Sequence, residues 1–153
     1  MLKIYNLKDK QQYIEEIAIL TQKEWGDNNI NKVEFQQKIK KKIAKIISSF
    51  ENKYYSKLIL LDDDKLVGFI SIFEYDCSER LDLYPWYATM YVKKEYRGFG
   101  YSKILNDAIL REAKAKNIAR LYLKTDLKNY YEKFDAKYLC DLSKGEKIFY
   151  FDI

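Results

Sequence analysis

The residues with the most chemical content in this 153-residue chain are two glycines in the run Val92-Lys93-Lys94-Glu95-Tyr96-Arg97-Gly98-Phe99-Gly100-Tyr101-Ser102. The run leaves a strand-like segment and enters an amphipathic helical pattern. Glycines at such a junction let the backbone approach a ligand closely and turn successive N–H groups outward. The first turn of the helix adds N–H donors without internal partners and a partial positive charge, so a phosphate group suits the place. An ordinary strand-to-helix turn has the same local signature, and the surrounding elements decide between the two.

Absent residue types narrow the chemistry further. There is no histidine, which removes imidazole bases, Ser-His triads and His-containing metal sites together. Cys77 and Cys140 make no zinc pattern, and two thiols so far apart imply no disulfide framework; no metal is expected. The net charge of +5 owes much to Lys38, Lys40, Lys41, Lys42 and Lys45. They read as a solvated helix face or, alternatively, as a nucleic-acid patch. A basic surface also attracts a polyanionic ligand such as a phosphate-bearing coenzyme. The segment Met1-Leu2-Lys3-Ile4-Tyr5-Asn6 shows no secretory signal, and nowhere do about 18 apolar residues run together. A cytoplasmic location without membrane attachment is therefore the default expectation.

These residues need elements to hold them. Residues 2–6 read as a short strand. Ile14, Ile17, Ala18, Thr21 and Trp25 recur at helical spacing within a helix expected from Lys8 to Trp25, ended by Gly26-Asp27-Asn28-Asn29. A second helix from about Asn31 carries Phe35, Ile39, Ile43, Ile46, Ile47 and Phe50 on one stripe. Leu58 to Leu61 and Leu66 to Tyr75 form a hairpin across Asp62-Asp63-Asp64-Lys65. After an acidic loop, Trp86 to Val92 is a strand, with Pro85 at its start where a missing N–H does least harm. Then come the glycine turn, a helix from about Gly100 to Lys116, a strand from Ala119 to Thr125 and a short helix from Asn129 to Phe134. A final hairpin pairs residues 137–141 with 147–152. One domain over 1–153 is expected, of mixed α/β (α+β) class, with strand, glycine turn, helix and strand making one βαβ unit.

With those elements in place, Val92…Arg97-x-x-Gly100-x-Ser102 resembles the Arg/Gln-x-x-Gly-x-Gly/Ala signature of the GNAT superfamily of N-acetyltransferases. Pro85-Trp86-Tyr87-Ala88-Thr89-Met90-Tyr91-Val92 is similar to that superfamily's fourth strand. Leu121-Tyr122-Leu123-Lys124-Thr125-Asp126 is similar to its fifth, and Asn129-Tyr130-Tyr131-Glu132-Lys133-Phe134 to its Tyr-Glu-Lys helix. The resemblance implies a GNAT-like fold: a mixed, mostly antiparallel sheet of about six to seven strands with about four helices on its two faces.

It also implies an acetyl-CoA site, residue by residue. The pantetheine arm would lie along Met90, Tyr91 and Val92, in a gap where the fourth and fifth strands splay apart. The pyrophosphate would sit on the N–H groups of Gly98, Phe99, Gly100, Tyr101, Ser102 and Lys103, with Arg97 setting the turn. Ser102 stands where Gly or Ala is usual, and Phe99 replaces a commoner basic residue whose charge Lys103 would supply. Asp135 takes the place of a glycine that ends the Tyr-Glu-Lys helix, and Asp tolerates the left-handed conformation needed there.

The implied reaction is acetyl transfer from acetyl-CoA to the primary amine of a small molecule or peptide, in a ternary complex. It needs a neutral amine, a polarised carbonyl and a proton for the departing thiolate. Tyr131 would supply that proton, with Tyr130 as the alternative, and an N–H at Met90 or Tyr91 would polarise the carbonyl. Several superfamily members carry a Glu where this chain has Trp86, so the base is open among Glu74, Asp76, Glu79, Asp82 and solvent. An acidic loop beside the site would favour a cationic amine. Two other readings stand beside the enzyme: an acyl-CoA sensor of the same fold that does not turn over, and a nucleic-acid binder using the Lys38–Lys45 patch. No nucleic-acid or membrane partner is expected for a monomer or homodimer of the enzyme.

Overall fold

A computed structural model describes all residues, Met1–Ile153. Five strands precede or flank the helices and two close the chain: β1 Leu2–Asn6, β2 Ser56–Asp62, β3 Lys65–Phe73, β4 Trp86–Val92, β5 Arg120–Thr125, β6 Lys137–Asp141 and β7 Lys147–Asp152. They form one sheet in the order β1-β2-β3-β4-β5-β7-β6. Every neighbouring pair is antiparallel except β4 and β5. That parallel pair is the βαβ unit, crossed by α3, Tyr101–Ala115.

The other two helices are α1, Ile14–Trp25, and α2, Lys32–Ser49. Burial divides the helices between the two faces of the sheet. Leu105, Ala108, Ile109 and Ala113 of α3 share the larger core with Leu58, Leu60, Val67 and Ile70. Ile14 and Ile17 of α1 share the smaller core with Ile59 and Leu61, which alternate with Leu58 and Leu60 on β2, and with Phe69 of β3. Because side chains alternate along a strand, β2 and β3 serve both cores at once and read as nearly continuous apolar runs.

Three local expectations need correction. The first helix begins at Ile14; Leu7–Asp9 and Gln11–Tyr13 are separate 3-10 turns, broken by Lys10 at φ −138° and ψ 53°. The stripe on α2 is narrower than its apolar residues suggest: Ile39 is buried, Ile43, Ile46 and Phe50 pack on the smaller core, and Ile47 is 48% exposed. The helix expected over 129–134 is a single 3-10 turn, Tyr131–Phe134, so there are three α-helices. Left-handed residues bracket it, Asn129 at φ 55° and Asp135 at φ 70°, and leave room for one turn only. No helix is long and apolar enough to cross a membrane.

Two irregularities in β4 position everything that follows. Along its pairing with β3, Phe69 faces Tyr91 and Ser71 faces Ala88, so Thr89 and Met90 together oppose Ile70 alone. This is a β-bulge, and Thr89 sits in it at φ 50°, an uncommon conformation for a β-branched residue. On its other edge β4 meets β5 only at Trp86 and Tyr122, with Tyr122 N–H donating to the Pro85 carbonyl at 3.1 Å. Beyond that point the two strands diverge.

Candidate active site

The divergence of β4 from β5 opens a cleft of about 400 Å³. Met90, Tyr91 and Val92 form one wall, and Tyr130, Tyr131 and Leu127 form the other. Arg97, Gly98, Gly100, Tyr101 and Ser102 lie at its mouth, with Tyr96 and Glu24 completing the rim. From Ala88 onward the β4 edge that faces β5 has no strand partner, so its backbone polar groups are available to a ligand.

The turn at the mouth is a consequence of its glycines. Gly98 has φ 86° and Gly100 φ 80°, and an added Cβ at either would meet nothing within 4 Å. Glycine is required there by backbone conformation, not by space. Gly100 caps α3 without any side-chain hydrogen bond, and the first turn carries no acidic residue. The N–H donors and positive end of α3 are thus left for a ligand. Arg97 braces the turn: its Nε donates to the Val92 carbonyl at 2.8 Å, and its guanidinium lies 5.5 Å from the centre of the Tyr91 ring. It has no carboxylate partner within ion-pair distance.

Two of the expected binding residues stand outside the cleft lining. Phe99 is 68% exposed and stacks on Tyr101, with ring centroids 5.8 Å apart. Lys103 donates its backbone N–H to the Gly100 carbonyl at 3.2 Å, and its Nζ pairs with Asp107 at 2.8 Å. The α3 macrodipole and Arg97 remain as the positive features of the mouth.

Tyr131 faces the cleft from the 3-10 turn and makes no side-chain hydrogen bond within the chain. Its ring meets Tyr87 edge-on at 5.8 Å and Tyr130 edge-on at 4.8 Å. Burial, with a smaller contribution from Tyr130, pushes the Tyr131 phenol up to about 12. Tyr87 is held more firmly still: burial raises it well above the usual phenol range, and its hydroxyl donates to Asn106 Oδ1 at 2.8 Å. Tyr131 is therefore a protonated phenol with a free donor at neutral pH.

Trp86 has a core role. It is fully buried and its Nε1 donates to the Leu83 carbonyl at 2.8 Å. Of the loop carboxylates, Glu79 is bound by the Ser143 N–H and hydroxyl, and Asp82 pairs with Arg80 at 2.9 Å. Hydrogen bonds hold both below the usual carboxylate range. Asp76 is raised to about 6, chiefly by burial. Neither it nor those two lines the cleft. The one carboxylate on the cleft rim is Glu24, on the last turn of α1, a position without a sequence signal.

A second cavity, of about 380 Å³, lies across β4 on the α1–α2 face. Its floor is Lys57 of β2, whose Nζ donates to Ser71 Oγ at 2.7 Å and lies 3.5 Å from Thr89 Oγ1. Those two hydroxyls are 2.7 Å apart. Lys42 and Lys45 of α2 stand over it, with Glu74 at one side. Lys57 shares the inward phase of Ile59 and Leu61 on β2, which is the signal by which sequence reading could have singled it out.

Comparisons with known proteins agree with the fold and identify the family. The profile of the Acetyltransferase (GNAT) family matches residues 12–135. Comparison with curated proteins gives no match. Among solved structures, an N-acetyltransferase from Staphylococcus aureus Mu50 superposes with a TM-score of 0.72 at 18% identity, covering 99% of this chain and 98% of that one. A PaiA N-acetyltransferase from Thermoplasma acidophilum, solved in complex with coenzyme A, gives 0.64 at 19% identity over 100% of this chain and 99% of its own. The yncA protein of Salmonella typhimurium, solved with acetyl-CoA as its cofactor, gives 0.67 at 12% identity over 99% and 94%.

Proposed function

Because the chain belongs to the GNAT acetyltransferase family, we propose that it is an acetyl-CoA-dependent N-acetyltransferase, acting on a primary amine of a small molecule or peptide by direct transfer in a ternary complex. The observation that carries this reading is the cleft itself: an unpaired β4 edge leads to a glycine turn whose N–H donors lie at its mouth. Residues 1–153 would act as one domain.

The residues fit the coenzyme on physical grounds. An extended amide-bearing chain can pair with the free groups of Met90, Tyr91 and Val92. A pyrophosphate can accept from the N–H groups of Gly98, Phe99, Gly100, Tyr101 and Ser102, with no acidic side chain in the first turn to repel it. The coenzyme supplies an activated thioester carbonyl. A backbone N–H at the bulge, at Met90 or Tyr91, would polarise that carbonyl from a fixed position and so without reorganisation. Tyr131 would hold the proton for the departing sulfur. Its phenol stays protonated at neutral pH because burial disfavours the phenolate. The amine would lose its proton to solvent or to Glu24 on the rim before attack.

Following free-thiol release from acetyl-CoA in the presence of primary amines, with the acetylated amine identified by mass, tests the reading. Thiol release that depends on the amine and yields its acetyl derivative is expected. Bound coenzyme without release, across amines of every charge type, would leave a sensor and contradict the enzyme.

A further inference from the structure

Lys57 is the chain's one buried cation, 3% exposed, and no carboxylate lies within ion-pair reach of it. Its polar partners are the hydroxyls of Ser71 and Thr89, and the Phe69 and Phe73 rings lie 5.2 and 5.5 Å from Nζ. A buried ammonium held by hydroxyls alone is under-compensated. Its surroundings add like charge. Lys42 and Lys45 face the same cavity, and Glu74, the one carboxylate there, already accepts from Asn52 Nδ2 at 3.0 Å. Tyr55 and Tyr75 complete the titratable lining; Tyr55 is raised by burial and carries no negative charge. The strain shows in the lysines themselves. Burial first, then Lys42, brings Lys57 down to about 7, while burial, Lys45 and Lys38 lower Lys42.

The cavity adjoins the cleft along two elements. On β4, Thr89 lines the cavity and the next residue, Met90, lines the cleft; on α1, Thr21 lines the one and Glu24, a turn later, the other. Lys57 Nζ lies at the bulge, 3.5 Å from Thr89 Oγ1, so a small molecule held there has the cleft one residue further along β4, where the acetyl group would be presented. We propose that this cavity takes a carboxylate of the acceptor, so that the acceptor is a small amine that also bears a carboxylate, and that Lys57 is the residue selecting it. The inference rests on the acetyl-transfer reading and deepens it. A diamine would instead set a second ammonium among three lysines, so the charge preference is opposite to the one the acidic loop suggested.

The test separates this inference from the reading beneath it. In protein carrying 13Cε-labelled lysine, the Lys57 signal is identified by its loss in Lys57→Met. Glycine, 4-aminobutyrate and 6-aminohexanoate are then titrated in without coenzyme, each against its carboxamide, with 1,4-diaminobutane as the cationic control. At least one carboxylate should move the Lys57 signal and raise its titration midpoint by about one unit or more, while its carboxamide and the diamine leave it in place. No response to any carboxylate, or an equal response to the diamine, would overturn the proposal. In turnover, the responding carboxylate should exceed its carboxamide in kcat/KM by at least about tenfold. Lys57→Met should remove that preference through KM, and Lys42→Gln, on the helix surface, should weaken it without a folding question. A preference unchanged in both variants would overturn the proposal. The acetyl-CoA thermal shift, measured alongside, reports on the coenzyme site independently of either outcome.

Discussion

The two cavities on either side of β4 are built from different materials. The cleft toward β5 is made of backbone: an unpaired strand edge, two left-handed glycines and the N-terminus of α3, with Arg97 tied into the turn. The cavity toward α2 is made of side chains: Lys57, Lys42 and Lys45 above a Ser71–Thr89 hydroxyl pair. Backbone donors recognise what is common to a class of ligand, such as phosphate and amide groups, and tolerate side-chain change around them. Charged side chains in a confined space discriminate between ligands, because a wrong charge is left uncompensated. A donor shared by a family and an acceptor particular to one member would divide between the two cavities in this way.

The largest effect that would break the comparison falls on the cleft wall opposite β4. Tyr131→Phe should lower kcat by about 10²-fold, in the range of a lost general acid, and leave acetyl-CoA affinity nearly unchanged. An equal loss of both would make Tyr131 a packing residue. Because the phenol is raised to about 12, the acid stays protonated below that pH. The kcat profile should therefore rise as the amine deprotonates and show no falling limb up to about pH 10.

Next is the backbone-built side. Gly100→Val forces a β-branched residue into φ 80°, which disfavours the turn by about 1–2 kcal/mol. Acetyl-CoA should bind roughly 5- to 30-fold more weakly by calorimetry, with KM for the amine little changed; unaltered coenzyme affinity would remove the phosphate turn from the account.

On the side-chain-built side the expected effect is on stability. The unfolded chain keeps the Lys57 proton up to about pH 10.4, whereas the folded chain releases it from about 7. Between those values the unfolded state binds the extra proton, so raising pH stabilises the wild type, by on the order of 1 kcal/mol per unit. Denaturant melts should show this gain for the wild type and its absence in Lys57→Met. Parallel profiles would mean that Lys57 is not the uncompensated cation described. The smallest effect belongs to Lys103. Tied to Asp107 and outside the lining, it should change acetyl-CoA affinity by no more than about twofold on Lys103→Ala; a tenfold loss would return it to the site.

The same contrast governs what could be read from the sequence. The glycine turn, β4 and the closing hairpin were legible because their signals are local: Gly98 and Gly100 fix left-handed positions, and alternation marks strands. The order β5-β7-β6 and the bulge at Thr89 were not, because pairing and register depend on partners distant in the chain. Lys57 illustrates the loss best. It stands beside Ser56 ahead of a leucine-rich run, and only the phase it shares with Ile59 hints at burial; its hydroxyl partners arrive from β3 and β4. Tyr131 was reached through a resemblance, while Glu24 came to the rim only through the packing of α1.

The central claim, that the β4–β5 cleft is an acetyl-CoA site, is tested most directly by a thermal-shift titration of the whole chain with acetyl-CoA. The midpoint should rise with concentration, with stabilisation reaching roughly 2.7 kcal/mol at about a hundredfold over the dissociation constant, and Gly100→Val should shift the curve to higher concentration. A midpoint that does not move at any concentration of acetyl-CoA would contradict it.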